Sequence, residues 1–141
     1  MLEFQQRTEV KDLTPTQEIT PLPLQEVLVF VADNEKDKLE IKPEELLYIE
    51  SADNYSNVVY IKNTHVNKQL IRSSLKRLES QVTFPFILRC HRSYIVNLKQ
   101  INHIKGNAQG YRIEFKTELS DTIPVSRSYS KTLFERLESF K

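Results

Sequence analysis

Apolar residues recur along most of this chain in short bursts with a period of two, the pattern of half-buried strands. Val27-Leu28-Val29-Phe30-Val31 is a β-branched run long enough for one strand, and Asp33-Asn34-Glu35 supplies the turn after it. Leu39-Glu40-Ile41 alternates in the same way. Pro43-Glu44-Glu45-Leu46-Leu47 predicts a single helical turn, with proline at its first position and acids facing the positive helix end. Leu47–Glu50 and Ser56–Ile61 predict strands on either side of the polar loop Ala52-Asp53-Asn54-Tyr55. Lys62-Asn63-Thr64 then turns the chain into a strand from His65 to Ile71.

The period changes after Ser73. Leu75, Leu78 and Val82 stand three and four apart and predict a helix over Ser74–Val82, capped by Ser73 and ended by Pro85. Ile101-Asn102-His103-Ile104 leads to the turn signal Gly106-Asn107, and Tyr111–Phe115 is a clean alternating strand. Thr122–Val125 predicts another, which Pro124 places at a sheet edge because proline has no N–H for a ladder. Tyr129, Leu133, Phe134 and Leu137 mark a C-terminal helix from about Ser128 to Phe140. The expected fold class is mostly β, with a short central helix and a C-terminal helix. It lacks the βαβ alternation of a doubly wound sheet. It also lacks a helix-turn-helix, paired zinc-finger ligands or a basic zipper. Residues 1–24, with Pro15, Pro21 and Pro23 and little periodicity, predict a linker or N-terminal arm, and 25–141 form one domain.

Composition narrows the function classes. No apolar run approaches the ~18 residues that span a bilayer, and no basic-then-apolar leader opens the chain. The single cysteine, Cys90, excludes an internal disulfide and fits a reducing, cytoplasmic setting. With 2 glycines in 141 residues there is no phosphate-cradling glycine loop, which argues against nucleotide-dependent chemistry and against a cofactor of that kind.

Net charge of +1 conceals a strong asymmetry. Residues 1–61 carry five Lys and Arg against thirteen acids, a net of −8; residues 62–141 carry fifteen against six, a net of +9. Residues 62–112 hold ten Lys and Arg and one acid, Glu79. A basic segment of that length is the footprint of a polyanion-binding surface. The plain alternative is a solvated face whose charge is offset by acids brought near by folding.

The densest chemistry lies in Phe86-Ile-Leu-Arg-Cys-His-Arg-Ser-Tyr-Ile-Val-Asn-Leu98. Arg89, His91 and Arg92, a hydroxyl at Ser93 and an amide at Asn97 are framed by apolar residues that read as core: Tyr94, Ile95, Val96 and Leu98. Cys90-His91 offers a nucleophile beside a base, but neighbours on a strand point to opposite faces and rarely form a hydrogen-bonded dyad. As the only thiol, flanked by two cations, Cys90 could have a lowered pKa and respond to oxidants; the competing reading is a small buried hydrophobe. His65, His91 and His103 with Cys90 lack the spacings of a zinc site, so no metal is expected. Glu44 and Glu45 sit where helix-end electrostatics account for them.

Several strings now combine. Leu47-Tyr-Ile-Glu-Ser-Ala-Asp-Asn-Tyr55, Arg72-Ser-Ser-Leu75 with Leu78-Glu79, Phe86-Ile-Leu-Arg-Cys-His-Arg-Ser-Tyr-Ile-Val-Asn97, then Ile101 and Ile104, then Ile123-Pro-Val-Ser-Arg-Ser-Tyr129 occur in that order. Together they closely resemble the LytTR-type DNA-binding domain of the LytR/AgrA family of transcriptional regulators. The resemblance runs from about Glu26 to Phe140. It implies an elongated set of small antiparallel sheets of about ten strands, with little helix and no catalysis. It implies a regulator's output domain that binds double-stranded DNA at promoter direct repeats and inserts loop side chains into successive major grooves. Such domains commonly follow a receiver domain or membrane-spanning segments, so a receiver, a membrane sensor segment and a homodimer on DNA are all compatible partners.

The resemblance places three segments against DNA. The first is the Asp53–Asn57 loop, with Asn54, Tyr55, Ser56 and Asn57, where Ser56 aligns with a base-contacting position. The second is His91-Arg92-Ser93, where Arg92 fills the family's contact slot. The third is Ser126-Arg127-Ser128. Arg92 and Arg127 each offer a fork suited to guanine O6 and N7, and Asn54 and Asn57 have amides suited to adenine or phosphate. Ser93, Ser126 and Ser128 suit phosphate oxygens, which position without specifying. Lys62, Lys68, Arg72, Lys76 and Lys99 would add sequence-independent affinity. Arg89 has a structural alternative, an ion pair with Glu50 or another acid, and Asn97 is expected to tie down buried backbone. A β-rich protein-interaction or ligand-sensing module with a basic face is the alternative function.

Overall fold

The computed structural model of the protein describes residues 26–107, 110–117 and 121–140. The arm expected over 1–24 lies outside the described residues.

Strands β1 (Leu28–Val31) and β2 (Lys38–Ile41) pair antiparallel as a two-stranded sheet. Their alternation works as the sequence predicts: Leu28, Phe30, Leu39 and Ile41 are buried. The turn between them is closed by Asn34, whose side-chain oxygen accepts from the N–H groups of Lys36 and Asp37. Pro43–Glu45 forms one 3₁₀ turn, and the Glu45 carboxylate accepts from the Lys42 N–H.

The main sheet has five antiparallel strands: β3 (Leu46–Ala52), β4 (Tyr55–Lys62), β5 (His65–Ile71), β6 (Ile87–His91) and β7 (Tyr94–Asn97), in the order β5-β4-β3-β7-β6. β3 is central, and Leu46, Leu47, Tyr48 and Ile49 are all buried because both faces are covered there. β5 is an edge; only Ile71 is buried in it, and Lys68 and His65 keep the open ladder polar. A three-stranded antiparallel sheet follows, from β8 (Ile101–Asn107), β9 (Gly110–Phe115) and β10 (Ile123–Val125), ordered β10-β9-β8. The proline strand is thus an edge. Tyr48 stacks on Phe115 with ring centroids 5.5 Å apart, which joins the two larger sheets in one core.

Helix α1 (Leu75–Gln81) buries Leu75 and Leu78. Its cap is Ser74, whose hydroxyl accepts from the Arg77 N–H, and not Ser73. Ser73 is buried instead, and its carbonyl is a hydrogen-bond acceptor for Ser56. The helix runs to Gln81 with Val82 as its C-cap, as the spacing predicts, and the Gln81 side-chain amide pairs with the N–H and carbonyl of Val31 on β1. Helix α2 (Arg127–Ser139) packs on β6 through Leu133, its one fully buried side chain, which contributes about 2 kcal/mol by burial.

Candidate nucleic-acid interface

Strand register brings the three segments expected to face DNA to one end of the molecule. The Asp53-Asn54 turn joins β3 to β4 at the pair Ala52↔Tyr55, and β7 pairs with β3 at Glu50↔Tyr94. The Arg92-Ser93 turn between β6 and β7 therefore lies at the same sheet end. The Ser51 N–H donates to the Ser93 carbonyl at 2.9 Å, tying the two turns together. The Ser126 N–H donates to the Cys90 carbonyl at 3.0 Å, which brings the start of α2 beside them. β5 ends here as well, with Ile71 opposite Ser56, so Arg72 and the start of α1 border the same region.

Exposure sorts the candidate residues. Asn54, Tyr55, Arg92, Arg127 and Ser128 are exposed; Asn57, His91, Ser93 and Ser126 are half-buried. Ser56 is a correction. It has no exposed surface, and its hydroxyl donates to the Ser73 carbonyl at 2.8 Å, so it is a core residue and not a reader. The alternation of β4 turns it inward, while Tyr55 before it points out. Tyr55 receives Arg72 over its ring at 5.7 Å.

The arginines divide into two groups. Arg72 pairs with Asp33, and Arg77 donates to the Ala32 carbonyl. Arg89 pairs with Glu79, Arg112 donates to Thr122, and Arg136 donates to the Pro85 carbonyl. Among the described residues, only Arg92 and Arg127 leave their guanidinium groups without a protein partner. A planar fork of donors held free at a surface is the group that recognises a carboxylate, a phosphate or a guanine edge.

The Arg92-Ser93 turn is held by side chains on both sides. Arg89 donates through Nε to the His91 carbonyl at 3.1 Å and through Nη2 to the Arg92 carbonyl at 2.6 Å. His91 Nδ1 accepts from the Ser93 N–H at 3.1 Å, which requires an unprotonated Nδ1. Burial, then the charges of Arg92 and Arg89, lower the His91 pKa from its usual value. Arg89 thus pairs with Glu79 and not Glu50; Glu50 instead accepts from the Tyr94 hydroxyl at 2.8 Å, and burial, then this hydrogen bond, raises the Tyr94 pKa to about 12. The bracing role of Arg89 is not legible from its neighbours in sequence. The one pointer was the isolation of Glu79 as the only acid among residues 62–112.

Cys90 resolves as the buried hydrophobe. It is fully buried, its thiol faces the carbonyls of Tyr94 and Pro124, and burial pushes its pKa up to about 12. The lowered pKa and the exposure needed for oxidant sensitivity are therefore both missing. Among the described residues no three His, Cys, Asp or Glu side chains group as metal ligands. No helix among them is long and apolar enough to cross a membrane.

The far end of the sheet is built differently. Asn97 is fully buried there, donating to the carbonyls of Pro43 and Leu46 and accepting from the Lys99 N–H. Lys62 and Lys99 lie at this end, away from the turns, and Lys99 sits over the Phe86 ring at 4.1 Å. Lys76, exposed in the first turn of α1, lies instead at the end that carries the Asp53-Asn54 and Arg92-Ser93 turns. A groove of about 760 Å³ lined by Ile101, Ile104, Phe134 and Leu137 also opens away from the turns.

Residues 36–138 match the model of the LytTr DNA-binding domain family. An uncharacterized response regulatory protein of Yersinia pestis is 37% identical over 97 residues, 69% of this chain and 37% of that protein. The sensory transduction protein LytT of Oceanobacillus iheyensis is 31% identical over 111 residues, 77% of this chain and 44% of that one. The transcriptional regulatory protein BtsR of Escherichia coli is 34% identical over 79 residues, 56% of this chain and 31% of that one. The chain thus spans less than half the length of these relatives. A solved LytTr DNA-binding domain from Bacillus cereus superposes with a TM-score of 0.57 at 22% identity, over 77% of this chain and 95% of that one, and shares the fold.

Proposed function

This chain belongs to the LytTr DNA-binding domain family, and on that premise we propose that it reads promoter DNA sequence-specifically through the shared end of its five-stranded sheet. The observation that carries the reading is the pair of unpartnered guanidinium groups, Arg92 and Arg127. They project from two segments that one backbone hydrogen bond, from the Ser126 N–H to the Cys90 carbonyl, joins. Each arginine contacts a guanine edge in the major groove. Asn54, Tyr55 and Asn57 from the β3–β4 side, together with His91, complete the contact surface.

Phosphate contacts fix the register. Ser126 occupies the cap position of α2 without its hydroxyl accepting from the helix. It leaves the positive end of a 13-residue helix open to a phosphate, with Ser128 3.2 Å away from its hydroxyl and Ser93 nearby. Lys76 and Lys68 add screened, sequence-independent attraction. The target is a direct repeat bound by two copies, and the chain is the output portion of a longer regulator whose input is a receiver or a membrane sensor.

Selection of duplexes from a random library by the purified chain, followed by titration at several salt concentrations, tests this reading. A recovered site preferred over random duplex by a factor of ~10³ or more, with affinity falling steeply as salt rises, is expected. Binding without sequence preference overturns it. The second reading, a ligand-sensing or protein-interaction module, is favoured by the apolar groove beneath α2 and predicts no duplex preference at all.

A further inference from the structure

Resting on the DNA-reading proposal, we infer that Arg89 and Glu79 form a positioning pair that sets sequence selectivity without touching DNA, by locking the turn that presents Arg92. A two-residue hairpin turn usually takes positive φ at its centre, because that twist matches the flanking strands. Neither Arg92 nor Ser93 has a positive φ. The mismatch is taken up by a bulge at Cys90, where the register slips between Arg89↔Ile95 and His91↔Tyr94. Backbone preference therefore does not hold this turn in shape.

The Arg89 guanidinium does. Its Nε and Nη2 reach two successive carbonyls of the turn, at 3.1 Å and 2.6 Å, and its Nη1 reaches the Glu79 carboxylate on α1 at 2.6 Å. Its side chain is only 16% exposed, so it is a poor phosphate contact. A rigid fork satisfied at three points defines one geometry, which a lysine cannot reproduce. The consequence for binding is selective. A bidentate contact to a base edge needs its arginine within a narrow range of position, whereas phosphate contacts tolerate displacement. Loosening the turn removes discrimination at the base pair read by Arg92 and leaves sequence-independent binding in place.

Glu79 gives the test its sign. Its carboxylate is held toward the recognition end, and on electrostatics alone Glu79→Gln strengthens binding to any polyanion. The positioning role predicts the reverse for the cognate site. The experiment titrates the full chain, Arg89→Lys, Glu79→Gln and Arg92→Ala against the library-selected duplex and a scrambled one across a salt series, with melting temperatures recorded. If the unmodified chain shows no preference for the selected duplex, the DNA-reading proposal fails and not this one. Given that preference, Arg89→Lys and Glu79→Gln should each lose roughly tenfold of it, with an unchanged slope of affinity against salt. The loss should map to the same base pair as that of Arg92→Ala. Retention of full preference by Glu79→Gln, an exposed helix-surface change that leaves the core intact, overturns the inference. So does a loss in Arg89→Lys that is equal on both duplexes.

Discussion

Two hairpin turns at opposite ends of the five-stranded sheet solve the same connection problem in opposite ways. At the far end, Asn63-Thr64 links β4 to β5 with φ of 53° and 66°. That is the left-handed geometry a two-residue hairpin prefers, forced here on a β-branched threonine. At the recognition end, Arg92-Ser93 avoids positive φ and is held by Arg89 and His91 from outside its own backbone. The far turn is a local device whose defects affect stability. The Arg92-Ser93 turn is a tertiary device whose defects, on the proposed function, affect aim. The same division separates Asn97 and Lys99, which serve the core at the far end, from Arg92 and Arg127, which are kept free at the other.

Changes at each end should therefore separate stability from binding. Asn97→Ala strands two buried carbonyls and one N–H; it should cost about 3 kcal/mol in denaturant unfolding while leaving duplex preference intact where the protein is folded. A loss of preference without a loss of stability would break the comparison. Arg127→Ala and Arg92→Ala should each cost roughly 1–3 kcal/mol on the cognate duplex and relax one base pair, with stability shifted by less than about 0.5 kcal/mol. Mobility-shift titrations and melting curves read the two quantities separately.

Thr64→Gly should raise stability by about 1 kcal/mol in denaturant unfolding, because glycine takes the positive φ without a steric penalty; binding should not change. Lys76→Ala should weaken all duplexes alike and shallow the salt slope by about one unit, whereas Lys62→Ala, at the far end, should leave the slope unchanged. Equal slopes for the two variants would show that DNA covers both ends. The smallest effect concerns pH. The folded state lowers the His91 pKa, so the His91 contribution to stability is fully present above about pH 6.5 and is lost as pH falls through the lowered value. Melting temperature should fall more between pH 7 and 5 in the unmodified chain than in His91→Asn.

Much of the fold was legible because period-two alternation and β-branched runs report burial directly. The β1 to β5, β9 and β10 segments follow from that pattern, and the 3₁₀ turn at Pro43 and both helices from proline placement and three-and-four spacing. The errors were local and instructive. Ser73 and Ser74 are both competent caps, and only the packing of Ser73 under β4 decides between them. The Gln81 amide, read only as a polar helix residue, binds the backbone of Val31, 50 residues away in the chain. Ser56 looked like a surface hydroxyl because its loop is polar, yet strand register turns it inward. Cys90, flanked by cations in sequence, is buried in a bulge, and that burial outweighs the opposing pull of Arg89.

By itself, the sequence determined the composition of this protein's surfaces: a mostly β chain, a basic second half, and two arginines set in family-like strings. Charge count and periodicity are local properties, and they survive without coordinates. Only the tertiary structure decided which cations are free. Arg72, Arg89 and Arg127 are chemically identical in sequence. The first finds Asp33, the second finds Glu79 and two carbonyls, and the third finds nothing among the described residues. A guanidinium forms these bonds within about 3 Å, and whether a partner lies that close depends on how distant segments are packed.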